Sequence, residues 1–320
     1  MNIGLDMMGG DFAPIEVVKG LQLYLQDNTS PATIYCLGDK ERVQPVMDEL
    51  KLSSPAIRVV HAPEVIGYNE SPTKALKEKQ QSSIAVGFHL LSTGKIDAFI
   101  SAGNTGAMLV GTMYTIKAIE GVHRPTIATV VPKLTGGTGL LLDVGLNADC
   151  KPEHLNQFAV LGSLYAKYIL HITDPRVGLL NVGEEEGKGN QLAKETFPLL
   201  KANNQVNFVG NVEGRDVMYD KSDVIVCDGF TGNILLKMAE SLYDISVERG
   251  VAEDEYFSRF HYENYGGTPV LGVAKPVIIG HGISTAKAFY NMIRLAEQMI
   301  ETDLCAQMAA SFAPVSQTEE

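Results

Sequence analysis

Two stretches decide how the chain folds: Ala98-Phe99-Ile100-Ser101-Ala102-Gly103-Asn104-Thr105-Gly106 and Val224-Ile225-Val226-Cys227-Asp228-Gly229-Phe230-Thr231-Gly232. Each begins as a short apolar run of the kind that forms a buried parallel strand. Each then turns through G-x-T-G into helical periodicity, over 108–116 in one and 234–242 in the other. Glycines at such a turn let the backbone approach a ligand, the first helical N–H groups lack internal partners, and the helix dipole favours negative charge. Phosphate binding fits that chemistry, although Thr or Asn beside Gly is also ordinary turn and cap chemistry.

The same alternation runs through the chain. Apolar runs at 3–5, 33–37, 59–60, 98–100, 126–131, 140–144, 177–182, 206–209, 224–227 and 277–279 alternate with helical patterns. This is the signature of a three-layer α/β/α, Rossmann-like fold with a mostly parallel twisted sheet. Ligands of such folds sit outside the carboxyl ends of the strands. The segments that follow the strands are rich in glycine and polar residues, and are expected to gather at one edge as one site. They hold Gly9, Gly10 and Asp11; Ser101, Gly103, Asn104, Thr105 and Gly106; residues 143–149; Gly187 within 183–190; Asp228, Gly229, Thr231, Gly232 and Asn233; and Gly280-His281-Gly282.

No proline-rich linker divides the 320 residues and no solenoid repeat appears. A single domain over 1–305 is expected, with a helical insertion near 239–262 and a flexible tail over 306–320. Ser71-Pro72 reads as cap and first turn of one helix whose stripe Ile84, Phe88 and Leu91 runs on to a stop at Gly94. Lys74, Lys77 and Lys79 crowd its first half, as a solvated face or as a docking patch for an acidic protein.

With 45% hydrophobic and 20% charged residues the composition is that of a globular protein, and the net charge of −12 argues against nucleic acid and anionic membrane surfaces as partners. No secretory signal and no 18-residue apolar span is visible, so a cytoplasmic location is expected. Cys36, Cys150, Cys227 and Cys305 lie far apart without zinc or redox spacing; Cys150, beside a glycine loop, is the one candidate nucleophile.

The loop Gly183-Glu184-Glu185-Glu186-Gly187-Lys188-Gly189-Asn190 matches neither a Walker loop nor G-x-G-x-x-G. Lys188, between two glycines at a strand end, can bring a cation to a phosphate or an oxyanion. It can equally serve as counterion to an acidic helix start at Glu184–Glu186, or those carboxylates can hold magnesium with Asp143 or Asp228. Asn233 is placed either to donate to an oxyanion or to cap its helix. His281 is a candidate acid or base, or a histidine packed in a turn. Serine-hydrolase and zinc-peptidase motifs are absent.

Taken together, the segments GLDMMGGDFAP, HAPEVI, SAGNTGAML, LLDVGLNADCKPEHLNQFA, PRVGLLNVGEEEGKGN, NFVGNVEGRDV, DGFTGNILLK, YENYGGTPVLG and HGISTAKAF closely resemble the bacterial acyl-carrier-protein:phosphate acyltransferases of phospholipid synthesis. The resemblance covers residues 1 to about 295, in the family's order. It implies transfer of a long-chain acyl group from acyl carrier protein to inorganic phosphate, without cofactor or metal. The acyl phosphate produced would pass to the next acyltransferase, one that acts on glycerol 3-phosphate. It also implies a homodimer. Phosphate held by Asn104-Thr105-Gly106 and Lys188 would attack directly, with Asn233 on the oxyanion. The chain departs from the family between DGFTGNILLK and YENYGG, where relatives carry a longer, lysine-rich helical hairpin tied to dimerisation and membrane contact. The acidic segment here, including Val251-Ala252-Glu253-Asp254-Glu255, puts peripheral membrane contact in doubt. The alternatives are a dehydrogenase for phosphorylated substrates, which the missing nucleotide fingerprint disfavours, a short-chain acyltransferase using coenzyme A thioesters, and a non-catalytic scaffold.

Overall fold

A computed structural model describes residues 1–27, 31–251 and 254–313. Among them are eleven strands: β1 (Asn2–Asp6), β2 (Thr33–Gly38), β3 (Ile57–His61), β4 (Ala98–Ser101), β5 (Thr126–Pro132), β6 (Thr138–Leu142), β7 (Arg176–Asn181), β8 (Asn207–Glu213), β9 (Val224–Val226), β10 (Gly267–Leu271) and β11 (Val277–Gly280). The α-helices are α1 (Ile15–Asp27), α2 (Lys40–Glu49), α3 (Pro72–Glu78), α4 (Ser83–Ser92), α5 (Thr105–Gly111), α6 (Pro152–Tyr168), α7 (Gln191–Ala202), α8 (Gly229–Glu248), α9 (Glu255–Ser258), α10 (Ala286–Glu301) and α11 (Leu304–Phe312). The architecture is α/β: mostly parallel strands flanked by helices. All ten apolar runs are strands; the central β4, β9 and β11 are buried along their whole length, as parallel strands covered on both faces must be.

The chain forms two compact units, Met1–Lys117 with Tyr262–Glu301, and Ala118–His261 with Thr302–Glu320. In the first, the strand order is β3-β2-β1-β4-β11-β10. These strands are parallel except β10, which the apolar pattern misses and which runs antiparallel to β11. Helix α4 packs on β1, β2 and β4, and α10 on β4, β10 and β11. In the second unit the order is β5-β6-β9-β7-β8, with β5 antiparallel to β6 and the rest parallel. Its core gathers Val131, Leu141, Val144, Val212, Ile225 and Cys227.

Four expectations change. The single helix from Ser71 to Gly94 is two, because Glu64 bridges to Ser82 and Ser82 Oγ caps α4 on the Ala85 N–H at 3.2 Å. Lys79 consequently turns inward to Glu70 and the Val65 carbonyl, leaving Lys74 and Lys77 on the surface. The acidic run 184–186 does not open a helix, since α7 starts later with Asn190 as its cap. The tail expected from 306 is helical up to Phe312, with Leu304 and Met308 buried; its remainder, 314–320, lies outside the described residues, as do Ala252 and Glu253. Helix α8 runs unbroken through 239–248, so the first part of the expected insertion continues the strand-end helix. No helix among the described residues is long and apolar enough to cross a membrane.

Candidate active site

In the first unit, β1, β4 and β11 run parallel, and the segments after them meet at their carboxyl ends. The buried Asp6 carboxylate accepts the Ser101 hydroxyl at 2.7 Å and the Met8 N–H at 2.9 Å, while the Ser101 oxygen in turn accepts Gly103 N–H at 3.0 Å. Burial lifts the Asp6 pKa against the pull of those bonds. Gly9 lies between the two loops, where an added Cβ would stand 2.6 Å from both the Asp6 carboxylate and the Gly103 nitrogen. The Asp11 N–H, just after Gly10 with its φ of +110°, bonds the Gly282 carbonyl at 2.7 Å. The Asn104 side chain is fully engaged: Oδ1 caps the Ala107 N–H, and Nδ2 donates to the carbonyls of Gly67, Tyr68 and Glu70. Ser101 and Asn104 therefore shape the turn, and what remains for a ligand is the backbone N–H of Thr105 and Gly106. The His281 ring tilts against Tyr262 at 5.0 Å.

In the second unit, β6, β9 and β7 run parallel and end beside one another. Asp143, wholly buried after β6, accepts the N–H groups of Gly145, Leu146 and Asn147 and the Asn147 side-chain amide. It holds 143–147 as a closed loop. Helix α8 is seated on that loop: Gly229 N–H bonds the Asn147 carbonyl at 2.7 Å, and an added Cβ on Gly232 would lie 1.9 Å from the Asp143 carbonyl oxygen. Asp228 caps α8, with one oxygen on the Thr231 N–H at 2.9 Å and the other on its hydroxyl at 2.8 Å. Asn233 is thus not the cap. It is exposed, with its Oδ1 only 3.4 Å from where a Cβ on Gly145 would stand, over the 143–147 loop.

The loop after β7 is anchored from below. The Asn181 amide donates to the Lys188 carbonyl at 3.1 Å, and Asn211 holds the Glu184 and Glu185 carbonyls. Glu184 pairs with Lys221 at 2.7 Å and Glu186 with Lys201 at 3.0 Å. Lys188 is exposed and in no ion pair among the described residues, so it is not the counterion of the acidic run.

Comparison with known proteins follows this geometry. The family described as fatty acid synthesis protein matches residues 1–249 and 250–307. A phosphate acyltransferase of Aquifex aeolicus is 44% identical over 95% of this chain and 94% of its own, and that of Thermoanaerobacterium thermosaccharolyticum is 41% identical over 96% of both. The chain belongs to the phosphate acyltransferase family. A phosphotransacetylase from Streptococcus pyogenes has the same fold, with a TM-score of 0.69 over 94% of each chain at 19% identity. A branched-chain phosphotransacylase from Enterococcus faecalis follows at 0.62, with 15% identity over 94% of this chain and 99% of its own.

For a phosphate acyltransferase the thiols matter, because a thiolate is a strong nucleophile for an acyl-enzyme route. Burial and the neighbouring Asp143 push the Cys150 pKa up to about 12, so it stays protonated, and Cys227 is core. Among the described residues no group of three or more His, Cys, Asp or Glu side chains is placed to hold a metal ion.

Two residues at these edges escape a reading that looks only after strands. Arg124 precedes β5, but β5 is antiparallel to β6, so its start lies at the carboxyl end of β6, where the Arg124 guanidinium faces the Asp149 carbonyl and adds positive charge near Cys150. Tyr68 comes from the irregular segment before α3; its hydroxyl donates to the Ala102 carbonyl at 3.1 Å, with burial and the Asp11 charge raising its pKa.

Proposed function

We propose that this phosphate acyltransferase moves a long-chain acyl group from the thioester of acyl carrier protein to inorganic phosphate. The observation that carries the mechanism is Lys188, in no ion pair among the described residues, in the loop after β7 whose Glu184 and Glu186 pair with Lys221 and Lys201 instead. Lys188 holds the phosphate dianion as a compact point charge.

A phosphate oxygen attacks the thioester carbon. The C–O bond forms, the carbonyl oxygen takes up negative charge, and Asn233, whose side chain has no hydrogen-bond partner among the described residues, donates to it. The intermediate collapses with cleavage of the C–S bond, and the departing thiolate takes the proton given up by phosphate. No enzyme-bound acyl group is needed, in keeping with a protonated Cys150. Asp228 serves by capping α8 and so fixing Asn233, and His281 serves the first unit's strand-end cluster.

The acyl phosphate is an activated donor for an acyltransferase acting on a glycerol phosphate hydroxyl. We place the protein in the cytoplasm as a homodimer, without nucleic-acid partners. The test is release of free carrier protein from its palmitoyl form. Release that requires phosphate and falls roughly 100-fold in Asn233→Ala, and also falls in Lys188→Ala, supports the reading. Phosphate-independent release, or variants equal to wild type, refutes it.

A further inference from the structure

The second unit contains a cavity of about 380 Å³ that the phosphate chemistry leaves unexplained. Its walls are Leu155 of α6, Leu179 of β7, Leu192 of α7, and Leu235 and Met238 of α8. Its polar lining lies at the sheet edge described above: Asn181 closes β7, and Asp228 and Thr231 open α8. Those groups are already bonded, Asn181 to the Lys188 loop and Asp228 to Thr231. Asn190, the remaining polar side chain of the lining, uses its Oδ1 to cap α7 on the Ala193 N–H. Volume and apolar lining suit a small hydrophobic guest.

The cavity has a direction. From Thr231 to Met238 it follows α8 for seven residues, roughly 10 Å of helix. It therefore leads away from the edge that carries Asn233 and the anchored Lys188 loop. Apolar groups along its length stand uncovered, so it opens to the surface as a groove: Val182 is 81% exposed, Ile234 55% and Met238 67%. Exposed apolar side chains that continue into an apolar cavity mark a surface that a nonpolar ligand covers.

We propose that this cavity receives the first part of the acyl chain of the thioester donor, placing its carbonyl at the edge where Asn233 lies. The proposal rests on the acyltransferase reading and names what sets its chain-length preference. A buried chain tightens binding about fourfold for each methylene taken from water.

The chain has no tryptophan, so Met238→Trp introduces a single emitter at the cavity wall. Palmitoyl-pantetheine added without phosphate is expected to shift its emission to the blue, saturably, and to bind at least 100-fold more tightly than butyryl-pantetheine. Ile234→Trp repeats the measurement from a second position along the groove if the first variant does not fold. In Leu192→Trp, which narrows the cavity from α7, the ratio of palmitoyl to butyryl turnover is expected to fall at least tenfold. No shift with the palmitoyl compound, a shift that tracks protein concentration as self-association would, or an unchanged turnover ratio overturns the proposal. If the shift is seen but no donor is transferred to phosphate, the cavity assignment stands and the acyltransferase reading fails.

Discussion

Replacing Gly232 by alanine is expected to destabilise the second unit far more than an ordinary Gly→Ala change. The new Cβ would stand 1.9 Å from the Asp143 carbonyl oxygen, about 1 Å inside the 3.0 Å limit that real Cβ contacts respect. The obstacle is backbone, and it cannot rotate away. The carbonyl belongs to the residue whose buried carboxylate holds 143–147 closed, and α8 is tied to the same loop through Gly229 N–H. The strain therefore falls on the helix seat, at the upper end of the overpacking range, about 3 kcal/mol. That corresponds to a fall in melting temperature of roughly 6–12 °C by calorimetry. Gly137→Ala is the control: no atom lies within 4 Å of its Cβ position, and it is expected to melt within about 2 °C of wild type. A Gly232→Ala protein that melts with the control would refute the argument that glycine is required there for close packing.

Asp223 gives a pH signature. Burial works to raise its pKa, but bonds from Arg176 and the buried Lys133, each at 2.9 Å, outweigh it and hold the carboxyl well below the usual range. A depressed folded pKa stabilises fully above the ordinary value of about 3.9 and is lost as pH falls below it. Melting curves from pH 7 to pH 3 are expected to drop less steeply in Asp223→Asn, which at pH 7 costs about 3 kcal/mol because Lys133 loses its best partner. Cys150→Ser is expected to keep phosphate-dependent turnover within a few fold, and iodoacetamide to label Cys150 slowly at pH 7.5; loss of turnover with the fold intact would point to an acyl-enzyme. Asn104→Ala removes a helix cap and three carbonyl contacts, so a loss of about 2–4 kcal/mol is expected in denaturant unfolding.

The strands were legible because parallel, doubly covered strands must be continuously apolar, and the carboxyl-end rule then pointed to the loops that follow them, such as 101–106 after β4 and 143–147 after β6. Strand direction was not legible. β5 and β10 run against their neighbours, so residues that precede them, Arg124 and Tyr262, reach an edge where only residues that follow strands are sought. Gly267–Leu271 also holds a proline and lacks an apolar run, which hid β10. The helix over 71–94 was misread because its apolar spacing continues across a break imposed by Glu64, a pairing no local pattern reports. The role of Lys188 was left open between counterion and phosphate ligand. Folding decides against the counterion, because Lys201 and Lys221 come from other segments to pair with Glu186 and Glu184, and Lys188 pairs with none of the three glutamates.

The central claim is transfer to phosphate rather than to water, and identification of the product tests it most directly. Palmitoyl-loaded carrier protein incubated with the enzyme and oxygen-18-labelled phosphate is predicted to give intact acyl phosphate with the label in its C–O–P bridge by mass spectrometry, and, in a parallel sample quenched with hydroxylamine, unlabelled palmitoyl hydroxamate in step with free thiol. Free palmitate in its place, or thiol released at the same rate without phosphate, would contradict the account.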